Sequence, residues 1–233
     1  VVALAYTAYG LTGFGSVVIA LPLLAHLFTL KFAVPLLMLL DLGAFLVLGA
    51  SARRSVRYDV VGWLAPFMLA GMAAGLTLLI RVPEQYLIVA LGVFLLAYAG
   101  WGLSRRGPPR SLARAWCAPI GLAGGALSGL FGTGGVLFAI YNAGRIRDKA
   151  ELRATNAAMI MFSSVLRLFL FGAAGLLAQE GLMLAALGLL PALFAGFWIG
   201  NRLHRAVPAE AVVKVLHVVL IVAGAVLLVR ALG

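Results

Sequence analysis

The sequence predicts an all-α membrane protein built of two inverted repeats, each a Gly-rich re-entrant or broken helical hairpin followed by three transmembrane helices. Composition, the placement of basic residues and an internal repeat predict this. Of 233 residues, 64% are apolar and 11% charged, with a mean hydropathy of +1.11. Soluble domains carry about 25% charged and about 45–50% apolar residues, so most of this surface faces lipid. The apolar residues come in long runs instead of alternating ten-residue stretches, and no polar stretch is long enough for a separate domain. Both facts argue against an outer-membrane barrel and a tethered soluble enzyme. The net charge of +11 would suggest nucleic acid in a soluble protein, but here the basic residues lie between apolar spans and no nucleic-acid partner is expected. The single Cys117 cannot form an internal disulfide or a thiolate cluster and reads as a small core residue. The chain opens at Val1 without Met or a basic leader, so residues 1–25 are not expected to be a signal peptide, and some native residues are expected to precede them.

Apolar runs at about 32–50, 60–80, 84–103, 154–176, 181–201 and 210–230 are each long enough to cross about 30 Å of hydrocarbon. Two further stretches, 1–28 and 116–143, are interrupted by Gly13-Phe14-Gly15-Ser16 and by Gly129-Leu130-Phe131-Gly132-Thr133-Gly134-Gly135. Each is either a broken crossing helix or a hairpin, and the positive-inside rule decides between them. If all eight stretches cross, one side receives Arg53, Arg54, Arg57, Arg105, Arg106, Arg110, Arg114 and Arg230. The other receives Lys31, Arg81, Arg145, Arg147, Lys149, Arg153, Arg202, Arg205 and Lys214, a balance of eight against nine that gives no orientation. If both interrupted stretches turn back, fourteen fall on the cytoplasmic side and only Lys31, Arg81 and Arg230 outside. The second layout is favoured, with the first hairpin dipping in from outside and the second from the cytoplasm.

Such a layout is an inverted repeat, and the sequence matches itself accordingly. At an offset of 125, Leu64, Pro66, Ala70, Gly71, Gly75, Leu78, Val82 and Pro83 meet Leu189, Pro191, Ala195, Gly196, Gly200, Leu203, Val207 and Pro208, eight identities in 22 positions. Phe14-Gly15-Ser16 meets Phe131-Gly132-Thr133 at an offset of 117. Thr77, Leu79 and Ile80 stand where the second copy has Arg202, His204 and Arg205, and the Arg53, Arg54, Arg57 loop corresponds to Ala178, Gln179, Glu180 and Gly181. Opposite charge at equivalent ends is what inversion requires. The units expected are 1–104, a basic cytoplasmic linker 105–114, and 115–233. Gly71 with Gly75 and Gly196 with Gly200 provide small faces for close helix approach, and Pro66 and Pro191 can kink their helices.

Unwound backbone at membrane depth is tolerated only where protein or a cavity satisfies it. A helix that restarts after a break offers unpaired N–H groups and the positive end of its dipole, a natural anion cradle. Gly15, Ser16, Gly132, Thr133 and Gly134 are therefore candidate substrate-binding positions at two tips that should meet near the midplane. Arg167, in the middle of 154–176, offers a guanidinium fork for an oxyanion or else a salt bridge to Asp41. Asp41 is that partner, a packing group or a proton carrier, and a coupling role is the one tested below. Asn156, Ser163 and Ser164 share the helix of Arg167 and can hydrogen-bond a substrate or bridge helices. His26, His204 and His217 are scattered and show no metal-site spacing, so neither a metal nor a cofactor is expected.

The whole pattern resembles the TauE/SafE sulfite exporter family, whose members carry a Gly-rich motif at the start of each of two homologous halves. The likeness rests on Thr12-Gly13-Phe14-Gly15-Ser16 with Pro22, on Ser128-Gly129-Leu130-Phe131-Gly132-Thr133-Gly134-Gly135, and on Leu152-Arg153-Ala154-Thr155-Asn156. It departs from an even repeat where Ala139 replaces Pro22 and where Val17-Val18 stands in place of Gly134-Gly135, which makes the second hairpin the better cradle. The resemblance implies export of a small sulfur-containing anion such as sulfite or an organosulfonate, with thiosulfate also in range, across the bacterial inner membrane. A secondary transporter working by alternating access, with protons as the coupling ion, is the first reading, and an uncoupled anion channel sharing the site is the alternative. No nucleophile motif and no histidine–carboxylate pair with metal spacing supports an intramembrane enzyme.

Overall fold

A computed structural model describes the backbone of residues 1–12, 16–48, 55–104, 112–203 and 209–232. Ten α-helices make up the described chain: α1 (Val2–Thr12), α2 (Ser16–Leu24), α3 (Leu30–Leu48), α4 (Tyr58–Arg81), α5 (Glu84–Ser104), α6 (Cys117–Phe131), α7 (Gly135–Arg145), α8 (Lys149–Ala173), α9 (Leu182–Leu203) and α10 (Ala209–Leu232). No strand occurs among the described residues. Tyr58–Arg81, Glu84–Ser104, Ala150–Ala173 and Leu182–Leu203 are long and apolar enough to cross a membrane, and His217–Ala231 is a shorter apolar stretch. The runs expected at 32–50 and 210–230 fall on α3 and α10, which extend over residues whose side chains lie outside the described set. Large apolar side chains along the helices, among them Leu187 at 58% and Val222 at 57% exposed, leave an apolar outer surface suited to lipid.

Local chemistry sets the helix ends. Asp148 caps α8, its Oδ1 accepting from the backbone of Ala150 at 2.9 Å and Glu151 at 2.8 Å. α6 stops at Gly132, whose φ of +74° is open to glycine and strained for other residues. There Gly132 N donates to Ser128 O, the 5→1 bond of an αL ending, and Thr133 N reaches back to Leu127 O. α7 then restarts at Gly135 with no side chain capping its first turn.

Glycine sets how the helices meet. On α4, a Cβ at Gly71 would fall on the backbone of Leu122, and one at Gly75 on that of Ala126; on α6, Gly125 and Gly129 abut the backbone of Met68 and Met72. Numbers rise together, so α4 and α6 run parallel in close contact. The same relation joins α1 to α9: Gly196 meets Ala3, Gly200 meets Thr7, and Gly10 meets Phe197 and Asn201. An offset of 125 carries Gly196, Gly200, Phe197 and Asn201 back to Gly71, Gly75, Met72 and Leu76, while an offset of 119 carries Ala3, Thr7 and Gly10 onto Leu122, Ala126 and Gly129. The two helix pairs thus make one contact twice. α5 packs along α10, and α3 crosses α8 and α9. Cys117 is buried with Val60, Leu64, Met68 and Phe138, the core role its solitary occurrence suggested.

Charged and polar bonds sort to two ends. At one, Lys31 Nζ donates to Ile80 O at 2.9 Å, Gln179 Nε2 to Lys31 O at 2.9 Å, Gln85 Nε2 to Ala231 O at 3.1 Å, and Arg230 Nη1 to Ala25 O at 2.8 Å. Lys31, Arg81 and Arg230 therefore share that end. At the other, Arg57 N donates to Thr155 Oγ1 at 3.0 Å, Arg57 pairs with Asp59 and Glu151, and Arg114 lies 3.2 Å over the Trp63 ring. The start of the α6 segment and the end of α7 also meet here, through Leu112 N to Gly144 O at 3.1 Å and Arg145 Nη1 to Leu112 O at 3.4 Å. Arg53, Arg54, Arg105, Arg106, Arg110 and Arg205 fall outside the described residues.

The glycine contacts make a direct prediction. Gly75→Val should cost at least about 3 kcal/mol, the upper part of the usual overpacking range, because backbone faces it and has no rotamer to yield. Gly62 and Gly100 have nothing within 4 Å of an added Cβ, so Gly62→Ala and Gly100→Ala should gain up to about 1 kcal/mol from helix propensity. Thermal unfolding in detergent checks both, and equal melting of all three variants would show that the close approach is not what holds α4 to α6.

Candidate functional site

The breaks converge on one cavity. It is lined by the start of α2, the Gly132–Thr133 turn and the start of α7, with α3 contributing Asp41, α6 Ser128 and α8 Ile160, Ser163, Ser164 and Arg167. Its volume of about 50 Å³ compares with the roughly 10–15 Å³ one water requires, so it suits a small ion and not a bulky organic molecule.

Arg167 is 2% exposed. Its Nη2 donates to Ser164 Oγ at 3.2 Å, while Nε has no hydrogen-bond partner. Gly132 is fixed twice over, because a Cβ there would stand 2.6 Å from Arg167 Nη1 as well as straining the backbone. The guanidinium therefore rests against the end of α6, where the helix leaves off. Thr133, 2% exposed, presents an Oγ1 that also lacks a partner. Across the cavity Asp41 Oδ1 accepts from Tyr6 Oη at 2.7 Å and from Ser16 Oγ at 3.1 Å. Ser128 and Ser163 bond each other at 2.6 Å.

The salt bridge weighed for Arg167 is not formed. Among the described residues the ion pairs are those of Arg57 with Asp59 at 2.8 Å and with Glu151 at 3.6 Å, both at the polar end. Asp41 and Arg167 line the same cavity without pairing. A guanidinium in apolar surroundings is costly to bury, on the order of 2.5–3.5 kcal/mol at a helix centre by insertion scales. One with an unsatisfied N–H and no direct carboxylate partner is set up to receive an anion.

Of the positions singled out in the sequence, Ser16, Gly132, Thr133, Asp41, Ser163, Ser164 and Arg167 come together here. Gly134 instead packs its Cα against the backbone of Gly124 and the side chain of Ser128, holding α7 to α6. Asn156 stands on the same helix as Arg167 but outside the cavity, accepting from Asn142 Nδ2 at 2.7 Å. Gly15 lies outside the described residues. The structure adds Tyr6 and Tyr9 from α1, and the Ser128–Ser163 pair. Tyr6 carried a signal that was not used: a phenol in an apolar helix needs a partner, and Asp41 was the nearest unassigned acceptor in the sequence. Groups of three or more metal-ligating side chains are absent among the described residues.

A probable inner membrane transporter protein, TsaS, of Comamonas testosteroni is 33% identical over 195 residues, covering 81% of this chain and 80% of the relative. No solved structure matches the chain. The family model for the sulfite exporter TauE/SafE matches residues 1–227. A multi-pass helical protein of the inner membrane, with its buried charges gathered around one cavity, the chain belongs to the TauE/SafE sulfite exporter family of membrane transporters.

Proposed function

We infer that the protein is a secondary transporter that exports a small sulfur-containing anion, sulfite or an organosulfonate, across the bacterial inner membrane by alternating access. The observation that carries the anion site is Arg167: buried, without a direct ionic partner, and placed against the broken end of α6. Its Nε and Thr133 Oγ1 are donors left free at a cavity wall. The uncapped start of α7 adds the positive end of a helix dipole. Ser16, Gly132, Thr133 and Arg167 hold the anion, with Gly15 as the first-half counterpart of Gly132, and Asp41 carries the coupling proton. Gly134 and Asn156 serve the site from outside, one by packing and one along its approach.

The architecture we assign to this activity is a pair of inverted repeats, 1–104 and 115–233, joined by the basic linker 105–114. Three observations support it: the duplicated α4–α6 and α1–α9 contact, the shared end of Lys31, Arg81 and Arg230, and the Leu112–Gly144 bond that brings the α6–α7 pair back to its starting face. In this arrangement the two halves rock about the tips and expose the cavity to one side at a time.

Proteoliposome flux of sulfite, thiosulfate, ethanesulfonate and chloride, with and without an imposed proton gradient, tests the reading. Accumulation of one sulfur anion only when protons flow supports it; passive equilibration of every anion points to a channel, and no movement of any sulfur anion overturns the substrate assignment. Arg167→Ala should weaken binding of the transported anion by about 2–5 kcal/mol, roughly thirtyfold to several-thousandfold, in a protein that still folds. Calorimetry reads this, and unchanged affinity would remove Arg167 from the site. Asp41→Asn should leave anion exchange in place while abolishing accumulation driven by the proton gradient; a variant that still concentrates anion with protons would assign the coupling elsewhere.

A further inference from the structure

One polar cluster lies beside the cavity and is not used by it. Asn142 on α7 is fully buried, its Nδ2 donates to Asn156 Oδ1 on α8, and its own Oδ1 has no partner. Asn156 sits one turn, about 6 Å, before Ile160, which borders the cavity. On the other side its neighbour Thr155 accepts from Arg57 N at the end where Arg57, Arg114 and Arg145 gather.

Asn156, Ile160, Ser163 and Arg167 recur at spacings of four, three and four and so share one face of α8. That face looks toward α7: Ile160 approaches Gly135, 3.5 Å from where its Cβ would stand, and Asn156 meets Asn142. From the Arg57 end inward the order is Asn142 with Asn156, Ser128 with Ser163, then Ser164 with Arg167.

The matching positions of the first half have none of this. The offset of 117 pairs Asn142 with Ala25. An offset of 123, which also aligns Met38, Gly49 and Ala50 with Met161, Gly172 and Ala173, pairs Asn156, Ile160 and Ser163 with Ala33, Leu37 and Leu40. Ala25 is 3% exposed and Ala33, Leu37 and Leu40 are each 0% exposed, so the polar series along α7 and α8 has no counterpart at these positions of the first half. The unpartnered atom of Asn142 is an acceptor, which water entering with an ion can satisfy, so what the pair offers an anion is its amide N–H groups. A neutral amide is suited to a passing anion, because it donates hydrogen bonds without the charge that would trap it.

We propose that Asn142 and Asn156 form the inner gate of the transport path, a second polar station that a small oxyanion crosses between the Arg167 cavity and the basic face. This rests on the anion-transport reading above. The hydrogen bond between the two amides closes the station; its opening offers their donors to the ion in place of water.

The test uses the full-length protein and sulfite. The double variant Asn142→Leu/Asn156→Leu should lower sulfite flux in proteoliposomes at least tenfold while sulfite affinity, measured by calorimetry in detergent, stays within twofold of wild type. Asn142→Ala/Asn156→Ala, which removes the bond without plugging the path, should keep flux at or above the wild-type rate. Wild-type flux in the Leu pair, or affinity lost in step with flux, overturns the proposal. Should the Leu pair not fold, Asn142→Cys in a Cys117→Ala background gives the second measurement. A charged, membrane-impermeant thiol reagent should modify it from the Arg57 face and not from the Lys31 face, and modification from neither face overturns the gate. Wild-type protein that neither binds nor moves sulfite would refute the substrate reading instead, and the thiol result would still report on the path.

Discussion

Every part of this molecule answers to one constraint: backbone that leaves a helix at membrane depth must find its hydrogen bonds inside the protein. Gly132 and Thr133 donate theirs to Ser128 O and Leu127 O near the end of α6. What the turn leaves over, the uncapped start of α7 and the Thr133 hydroxyl, faces a cavity and not lipid. The glycine contacts follow from the same need. Only helices whose backbones nearly touch, as α4 and α6 do at Gly71 and Gly75, can shield a broken segment from hydrocarbon.

The two breaks are alike in sequence and unlike in chemistry. Gly129-Leu130-Phe131-Gly132-Thr133 corresponds to Gly10-Leu11 and Phe14-Gly15-Ser16 with Thr12-Gly13 inserted between. In the first copy the hydroxyl is committed, Ser16 donating to Asp41; in the second, Thr133 is left without a partner and Arg167 stands beside it. Ser16 beside an acidic side chain and Thr133 beside a basic one thereby border a single cavity.

Much of this was legible in the residues. Membrane class followed from composition, and the breaks at Gly132 and between α1 and α2 were marked by glycines. The grouping of Lys31, Arg81 and Arg230 at one end was legible because charge cannot rest in lipid. Seven of the singled-out positions line the cavity because ionisable and hydroxyl side chains within apolar runs have few places to go. Asn156 and Gly134 show the limit. Their residue types suit a binding site equally well, and only three-dimensional packing reveals that one reaches Asn142 and the other seats α7 on α6. Tyr6 escaped notice because helical spacing does not disclose that α1 lies beside α3 at the depth of Asp41.

The mating of α1 with α9 bears on how the chain is made. The groove that receives α1 is formed by Gly196 and Gly200 on α9, which is synthesised only after α2 to α8 have followed α1 off the ribosome. Its contact face, Ala3, Thr7 and Gly10, waits in the bilayer until α9 is inserted. α6 faces no such delay, since α4 precedes it. The α1–α9 contact thus closes only after the intervening helices are made, and a nascent chain halted before α9 leaves that face of α1 unpacked.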